Sequence, residues 1–253
     1  MASYLITGAS RGLGFEMVKA LLQKPASEVS TVFAAIRSVP PPALEEVIAQ
    51  SQGRVVVVKL EVSDEASIAA AANDVRDKLA GRGLDVLINN AAIASMTPTP
   101  LTAATTLQNA FKVNVDAVHR ITVAFLPLLR EGTKKTVLNV SSIVGSITHT
   151  KRFMISPDHG YRVSKAALNC LTSIFACELE DEGFTFVAVS PGWCRTDQGG
   201  QYADLDAQTG GVALLEVLDK DRSELNGKFV NIKVAGWENA TGLHQYDGAE
   251  IPW

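Results

Sequence analysis

Tyr161 and Lys165 stand four residues apart in a stretch with helical apolar spacing, so their side chains rise on one face of a helix, one turn apart. A free phenol has a pKa of about 10 and is a poor base at neutral pH. A neighbouring ammonium and the positive end of a helix both favour the phenolate, so the spacing predicts a tyrosine able to exchange protons near neutrality. Ser142 closes the apolar run Thr136-Val137-Leu138-Asn139-Val140-Ser141-Ser142, where its hydroxyl could hold a substrate oxygen opposite the phenol. It is not set up as a nucleophile, because a nucleophile elbow needs G-x-S-x-G and Ser142 lies in N-V-S-S. Tyr-x-x-x-Lys recurs by chance, so its weight depends on the elements around it.

The first of these elements is Thr7-Gly8-Ala9-Ser10-Arg11-Gly12-Leu13-Gly14, between the apolar pair Leu5-Ile6 and a helical pattern over 15–22. Strand, glycine turn and helix in that order bring free backbone N–H groups against an anion, and a dinucleotide diphosphate is the expected guest. The run Thr31 to Ile36 reads as a second strand and ends on Arg37 rather than on a carboxylate. A carboxylate there would bind a ribose 2′-hydroxyl, whereas a basic residue pairs with a 2′-phosphate. With Arg11 as a second cation, NADP(H) is favoured and NAD(H) remains compatible.

Further apolar runs at 54–60, 84–88, 136–142, 184–190 and 228–234 alternate with helical patterns. These patterns fall near 42–50, 64–79, 105–130, 161–182 and 211–219, with Pro127 expected to kink or shorten the one over 105–130. Ser63 or Asp64 is placed to cap the helix that follows the third strand. Thr97 to Pro100 reads as a loop. The alternation predicts an α/β protein, a Rossmann-type doubly wound parallel sheet of about seven strands flanked by helices on both faces. One domain spanning 1–253 is expected to carry both cofactor and substrate sites.

The 253 residues are 47% hydrophobic and 20% charged, enough for one large core, and carry a net charge of −4. That balance argues against nucleic-acid or polybasic membrane contacts, and no apolar run approaches the ~20 residues of a membrane span. A soluble cytoplasmic protein with a small-molecule partner is expected. Cys170, Cys177 and Cys194 lack metal or redox spacing, and His149 and His159 have no carboxylates at metal-ligand spacing, so no metal is predicted.

Taken in order, Thr7 to Gly14, Asn89-Asn90-Ala91-Ala92, Asn114, Asn139 to Ser142, Tyr161 to Lys165 and Pro191-Gly192-Trp193-Cys194-Arg195-Thr196 resemble the motifs of the short-chain dehydrogenase/reductase family. The likeness is greatest to its subgroup of C-factor- and sniffer-like carbonyl reductases and reaches the ending Tyr246 to Trp253. The resemblance implies that Tyr161 is the catalytic acid or base and that Lys165 binds the nicotinamide ribose and lowers the tyrosine pKa. It implies that Ser142 orients the carbonyl and Asn114 holds a water-linked proton path behind Lys165. It places Asn90 and Ala91 near the adenosine, Thr196 on the cofactor amide or diphosphate, and Pro191 and Gly192 around the nicotinamide. Glu61 stands where the family has an aspartate for the adenine amino group, and Ala92 where it has glycine. Trp193 is compatible with either core or pocket wall.

The implied activity is hydride transfer between NADP(H) and a carbonyl or alcohol. Two other readings use the same motifs: a dinucleotide-binding signalling protein with little turnover, and an epimerase or dehydratase. Eighteen residues separate Ser142 from Tyr161, which predicts an inserted loop over 148–155 beside the substrate and, with a short polar segment at 197–209, a wide, solvent-open pocket able to take a bulky apolar or aromatic carbonyl. A homodimer or homotetramer is compatible with the resemblance.

Overall fold

The structure, a computed structural model, describes residues 1–94, 107–154, 156 and 158–253. The expected loop at 97–100 and the expected helix start at 105 lie outside the described residues.

Nine strands are described. They are β1 (Ala2–Thr7), β2 (Val29–Ile36), β3 (Val55–Lys59), β4 (Val86–Asn89), β5 (Thr136–Val140), β6 (Thr185–Ser190), the two-residue pair β7 (Cys194–Arg195) and β8 (Leu205–Asp206), and β9 (Lys228–Asn231). Seven form one sheet in the order β3-β2-β1-β4-β5-β6-β9, and every neighbouring pair is parallel. The chain winds outward from β1 through β2 and β3, then crosses back to β4 on the other side of β1. That reversal opens a crevice beyond the carboxyl ends of β1 and β4, the ligand position of open parallel sheets.

The helices are α1 (Gly12–Gln23), α2 (Pro42–Gln50), α3 (Glu65–Leu79), α4 (Leu107–Phe111), α5 (Ala117–Glu131), α6 (His159–Glu178), α7 (Ala207–Val217) and α8 (Arg222–Leu225). Successive strand residues point to opposite faces, so a sheet covered on both sides needs unbroken apolar runs. In β1, Ile6 joins Met17, Val18 and Leu21 of α1, Leu44 of α2 and Leu214 of α7. Leu5 joins the opposite cluster with Ile68 and Val75 of α3, Phe125 of α5 and Phe175 of α6.

Local packing and capping set where these helices begin, bend and end. Pro127 does not shorten its helix: α5 continues to Glu131, held to the sheet by buried Phe125, Leu128 and Leu129. The departure from α-helical geometry comes earlier, where Lys112–Asp116 forms a π turn between α4 and α5 around buried Asn114. Such a wide turn inserts one residue and is frequent at functional sites. Helix α6 starts two residues before Tyr161 because the Asp158 side chain accepts the Tyr161 N–H at 2.9 Å. Of the two expected caps of α3, Asp64 is the one that acts, accepting from Ser67 N at 2.7 Å. Among the described residues no helix is long and apolar enough to cross a membrane.

Candidate active site

The glycine turn is fixed by its neighbour strand. Thr7 Oγ1 accepts the Asn90 N–H at 2.9 Å and the Ala91 N–H at 3.0 Å, while Asn90 Nδ2 donates to Thr7 O at 2.8 Å. Gly8 has φ +68°, a conformation that disfavours any Cβ. A Cβ on Gly14 would fall on the Gly8 carbonyl and 2.7 Å from Asn90 Nδ2. Helix α1 begins with no side-chain cap on its first N–H groups, leaving those donors aimed at the turn. This cradle fits a diphosphate, with Ser10 and Leu13 also on the cleft wall. Asn90 lines the cleft too, but its amide is engaged in bracing the turn, a role its sequence position alone did not reveal. Ala92 keeps a negative φ, so the methyl group in place of the family's glycine is accommodated.

Both candidate phosphate cations are on the cleft, and both face carboxylates. Arg37 Nε lies 3.8 Å from Glu61 Oε2, and Arg11 Nε 3.1 Å from Asp197 Oδ2. The other Glu61 oxygen accepts from Ser63 N at 3.2 Å and Ser63 Oγ at 2.9 Å. Thr196 closes over the turn: its methyl carbon would be 3.3 Å from a Cβ on Gly12. Pro191 and Gly192 follow β6 directly onto the same cleft, and Gly192 takes φ +75°. Trp193 is 38% exposed, donates its indole N–H to Gly199 O at 2.8 Å and lines the cleft, so it is wall rather than core.

Ser142, Tyr161 and Lys165 come together at the mouth of the sheet, all lining one cleft of about 1010 Å³. Ser142 caps the turn Ile143–Gly145, its Oγ accepting from Val144 N at 3.4 Å. That turn lies directly on α6: a Cβ on Gly145 would sit 2.8 Å from Lys165 Cβ. Lys165 is 2% exposed, and its Nζ donates to Val140 O at 2.6 Å. Burial pulls its pKa from 10.5 down to about 7. The Tyr161 pKa is pushed up to about 12, first by burial, with hydrogen bonding from Ser142 and Gln198 acting the other way and Asp158 adding to the rise. The expected depression of the phenol by Lys165 is therefore not what the chain's own groups produce. Lys165 is buried and Tyr161 half-buried, and this loss of water contact lowers the lysine pKa and raises that of the phenol.

Asn114 is fully buried in the π turn. Its amide accepts from Ile93 N and donates to Ile93 O, both at 2.9 Å, and donates to Ser164 Oγ at 3.0 Å, one residue before Lys165. Sequence reasoning missed the polar layer behind the site. Asn89 Nδ2 donates to Asn139 Oδ1 at 2.9 Å, Asn139 Nδ2 to Thr172 Oγ1 at 2.9 Å, and Ser141 Oγ to Asn169 Oδ1 at 2.6 Å. Asp158 was legible in hindsight, since an aspartate three residues before Tyr161 is an N-cap signature. Gln198 and the pair Asp204 and His244 carried no such signal.

The inserted loop is tied down rather than free. Ser146 Oγ donates to Pro252 O at 2.6 Å, Thr148 N to Trp253 O at 2.9 Å, and Arg152 Nη2 to Leu243 O at 2.7 Å. Phe153 from this loop is buried against the cleft, joined there by Ile93, Ile143, Val144, Trp193 and Tyr246.

The family model for short chain dehydrogenase matches residues 3–205. The structure is similar to the NADPH-bound carbonyl reductase from chicken fatty liver, with a TM-score of 0.85 and 31% identity over 100% of this chain and 99% of that one. It is similar to the carbonyl reductase Sniffer of Drosophila melanogaster, with a TM-score of 0.84 and 30% identity over 100% of each chain. The C-signal protein of Myxococcus xanthus is 33% identical over 67% of this chain and 93% of its own length. With a doubly wound parallel sheet, a glycine turn at its switch point and Ser142, Tyr161 and Lys165 on one cleft, the chain belongs to the short-chain dehydrogenase/reductase family.

Proposed function

We propose that this oxidoreductase is an NADP(H)-dependent carbonyl reductase, with cofactor and substrate sites in one domain, acting on small aromatic or bulky apolar carbonyl compounds. The observation that carries the reading is geometric: Ser142, Tyr161 and Lys165 line the same cleft as the glycine turn. A neutral phenol at that place carries the proton that a reduced carbonyl oxygen needs. Bound NADPH supplies the hydride that reaches the carbonyl carbon. Ser142 donates a hydrogen bond to the substrate oxygen, and Tyr161 gives that oxygen its proton as negative charge develops there. Lys165, held at Val140 O, would bind the nicotinamide ribose. Asn114 ties the segment after β4, at Ile93, to Ser164 and so braces the helix that carries both side chains.

Selection of NADP(H) is supported by Arg37 and Arg11 on the adenosine side of the cleft and by the NADPH in the chicken carbonyl reductase. The substrate class is supported by the mostly apolar and aromatic wall of Ile93, Ile143, Val144, Phe153 and Trp193. The test is loss of nicotinamide absorbance when NADPH or NADH is incubated with aromatic ketones, aldehydes and quinones. NADPH-linked turnover of at least one class supports the reading. Tight NADPH binding with no turnover across the panel would favour a dinucleotide-binding regulatory role.

A further inference from the structure

Gln198 stands just beyond β7 and lines the same cleft as Ser142, Tyr161 and Lys165. Its backbone is held on both sides. Thr196 Oγ1 accepts the Gly199 N–H at 3.1 Å, Thr196 O accepts the Gly200 N–H at 2.9 Å, and the Trp193 indole N–H donates to Gly199 O at 2.8 Å. A Cβ on Gly199 would fall on the Cys194 carbonyl oxygen, so the turn lies directly on β7. On the other side Asp197 pairs with Arg11 at 3.1 Å. These contacts fix the turn through its backbone, and the Gln198 side chain extends from it to the Tyr161 hydroxyl.

Two donors converge on that hydroxyl. Ser142 and Gln198 both hydrogen-bond it in the sense that favours the ionised phenol, the mark of O–H and N–H groups pointing at its oxygen. Ser142 Oγ already accepts from Val144 N, which leaves its own proton for this purpose. A carbonyl oxygen that takes the phenol's proton must stand about 2.6–3.2 Å from the phenol oxygen. A glutamine side chain that reaches one of two oxygens so close together reaches the other by a small torsional change. Negative charge growing on the substrate oxygen draws the donor across, because a hydrogen bond to a charged acceptor is roughly twice as strong as one to a neutral phenol. None of the steps assigned to Ser142, Tyr161 or Lys165 uses this amide.

We propose that Gln198 is a third donor to the reacting oxygen: its amide N–H leaves the Tyr161 hydroxyl when substrate binds and, with the Ser142 O–H, holds the oxygen on which negative charge develops. The proposal rests on the carbonyl-reductase reading above. An alkoxide-like oxygen has lone pairs enough for Ser142, Tyr161 and Gln198 together. Gln198 is a catalytic residue in this scheme because it touches the reacting atom. No proton leaves the amide, so the proton that completes the alcohol still comes from Tyr161.

The test uses Gln198→Met, which keeps the length and removes the donor, and Gln198→Glu, which keeps the shape and puts an acceptor in its place. Single-turnover reduction of para-nitroacetophenone and para-nitrobenzaldehyde by NADPH reads the chemical step in each. With Ser142 and Tyr161 still present, the rate is expected to fall roughly 10- to 100-fold in Gln198→Met and at least as far in Gln198→Glu. KM and the NADPH Kd should stay within about 3-fold of wild type, since the bond is made to the developing charge. A second readout is the infrared difference spectrum of the isotope-labelled carbonyl compound bound beside NADP⁺. Its C=O stretch should lie at lower frequency in wild type than in Gln198→Met, a difference that a residue serving only the fold would not produce. Rates within about 3-fold of wild type in both variants, or a carbonyl frequency that ignores the substitution, would overturn the proposal. A faster Gln198→Met would overturn it too, by showing that the amide obstructs the place of the substrate oxygen. If wild type binds NADPH and reduces neither compound, the carbonyl-reductase reading itself fails, an outcome distinct from an active enzyme indifferent to Gln198.

Discussion

The Lys165 ammonium lies 5.5 Å from the centre of the Tyr161 ring and donates 2.6 Å to Val140 O, inside the protein rather than at its surface. This placement costs stability. Between pH of about 7, where the folded lysine titrates, and 10.5, where an unfolded one does, the unfolded chain holds the extra proton, so stability rises with pH. Below that window the full cost is present. Lys165→Met removes the cost and leaves Val140 O without its partner, a net gain of about 2–3 kcal/mol at pH 7. Thermal denaturation should show Lys165→Met melting roughly 5 °C higher at pH 7, with the gap closing toward pH 10. A lower melting temperature for the variant at pH 7 would contradict the burial cost.

Burial holds Tyr161 as a neutral phenol at about 12. The ultraviolet tyrosinate signal of wild type minus Tyr161→Phe should therefore stay flat from pH 7 to about 10 in the absence of cofactor. With NADP⁺ added, a positive ring close to the phenol should draw the transition toward neutrality. A tyrosinate signal already present at pH 8 without cofactor would place the phenol in a different environment.

Arg37 faces Glu61 at 3.8 Å, so a 2′-phosphate must compete with a carboxylate for it. Arg37→Asp should raise the Kd for NADPH at least 10-fold and leave that for NADH within about 3-fold. Glu61→Gln should tighten NADPH binding several-fold by freeing the guanidinium. Fluorescence titration of both nucleotides checks each direction, and equal shifts for NADPH and NADH would reject the phosphate role.

Gly145 lets the Ser142 turn lie on α6, where a Cβ would meet Lys165 Cβ at 2.8 Å and the Lys165 carbonyl carbon at 2.9 Å. Those neighbours are backbone and a stem carbon, which cannot swing aside. Gly145→Ala should cost about 1–3 kcal/mol in chemical denaturation and lower kcat more than it raises KM, because Ser142 shifts relative to Tyr161. Normal kcat in a destabilised variant would show that the turn is structural only.

The sheet and its winding were legible because buried parallel strands leave unbroken apolar runs such as Val55 to Val58 and Phe186 to Val189 in the sequence. The glycine turn and the Tyr161-Lys165 pair were legible because their chemistry depends on spacing along one element. What the sequence could not show were relations across elements. Asn114 has no local signature, since its role comes from a π turn and from partners at Ile93 and Ser164. The closeness of Lys165 to Tyr161 can be read from spacing, whereas the desolvation that pushes the phenol up depends on everything packed around the ring. His149 and His159 drew notice by standing near Tyr161 in sequence, yet His244, eighty residues away, is the histidine bound to a carboxylate on the cleft.

Proton donation by Tyr161 is tested most directly by the single-turnover rate of NADPH-dependent ketone reduction in Tyr161→Phe, measured beside NADPH affinity. Loss of a general acid lowers the rate by about 10²- to 10⁴-fold, and the NADPH Kd should stay within about 3-fold of wild type. A variant that binds NADPH and reduces the ketone at a rate near that of wild type would contradict the account.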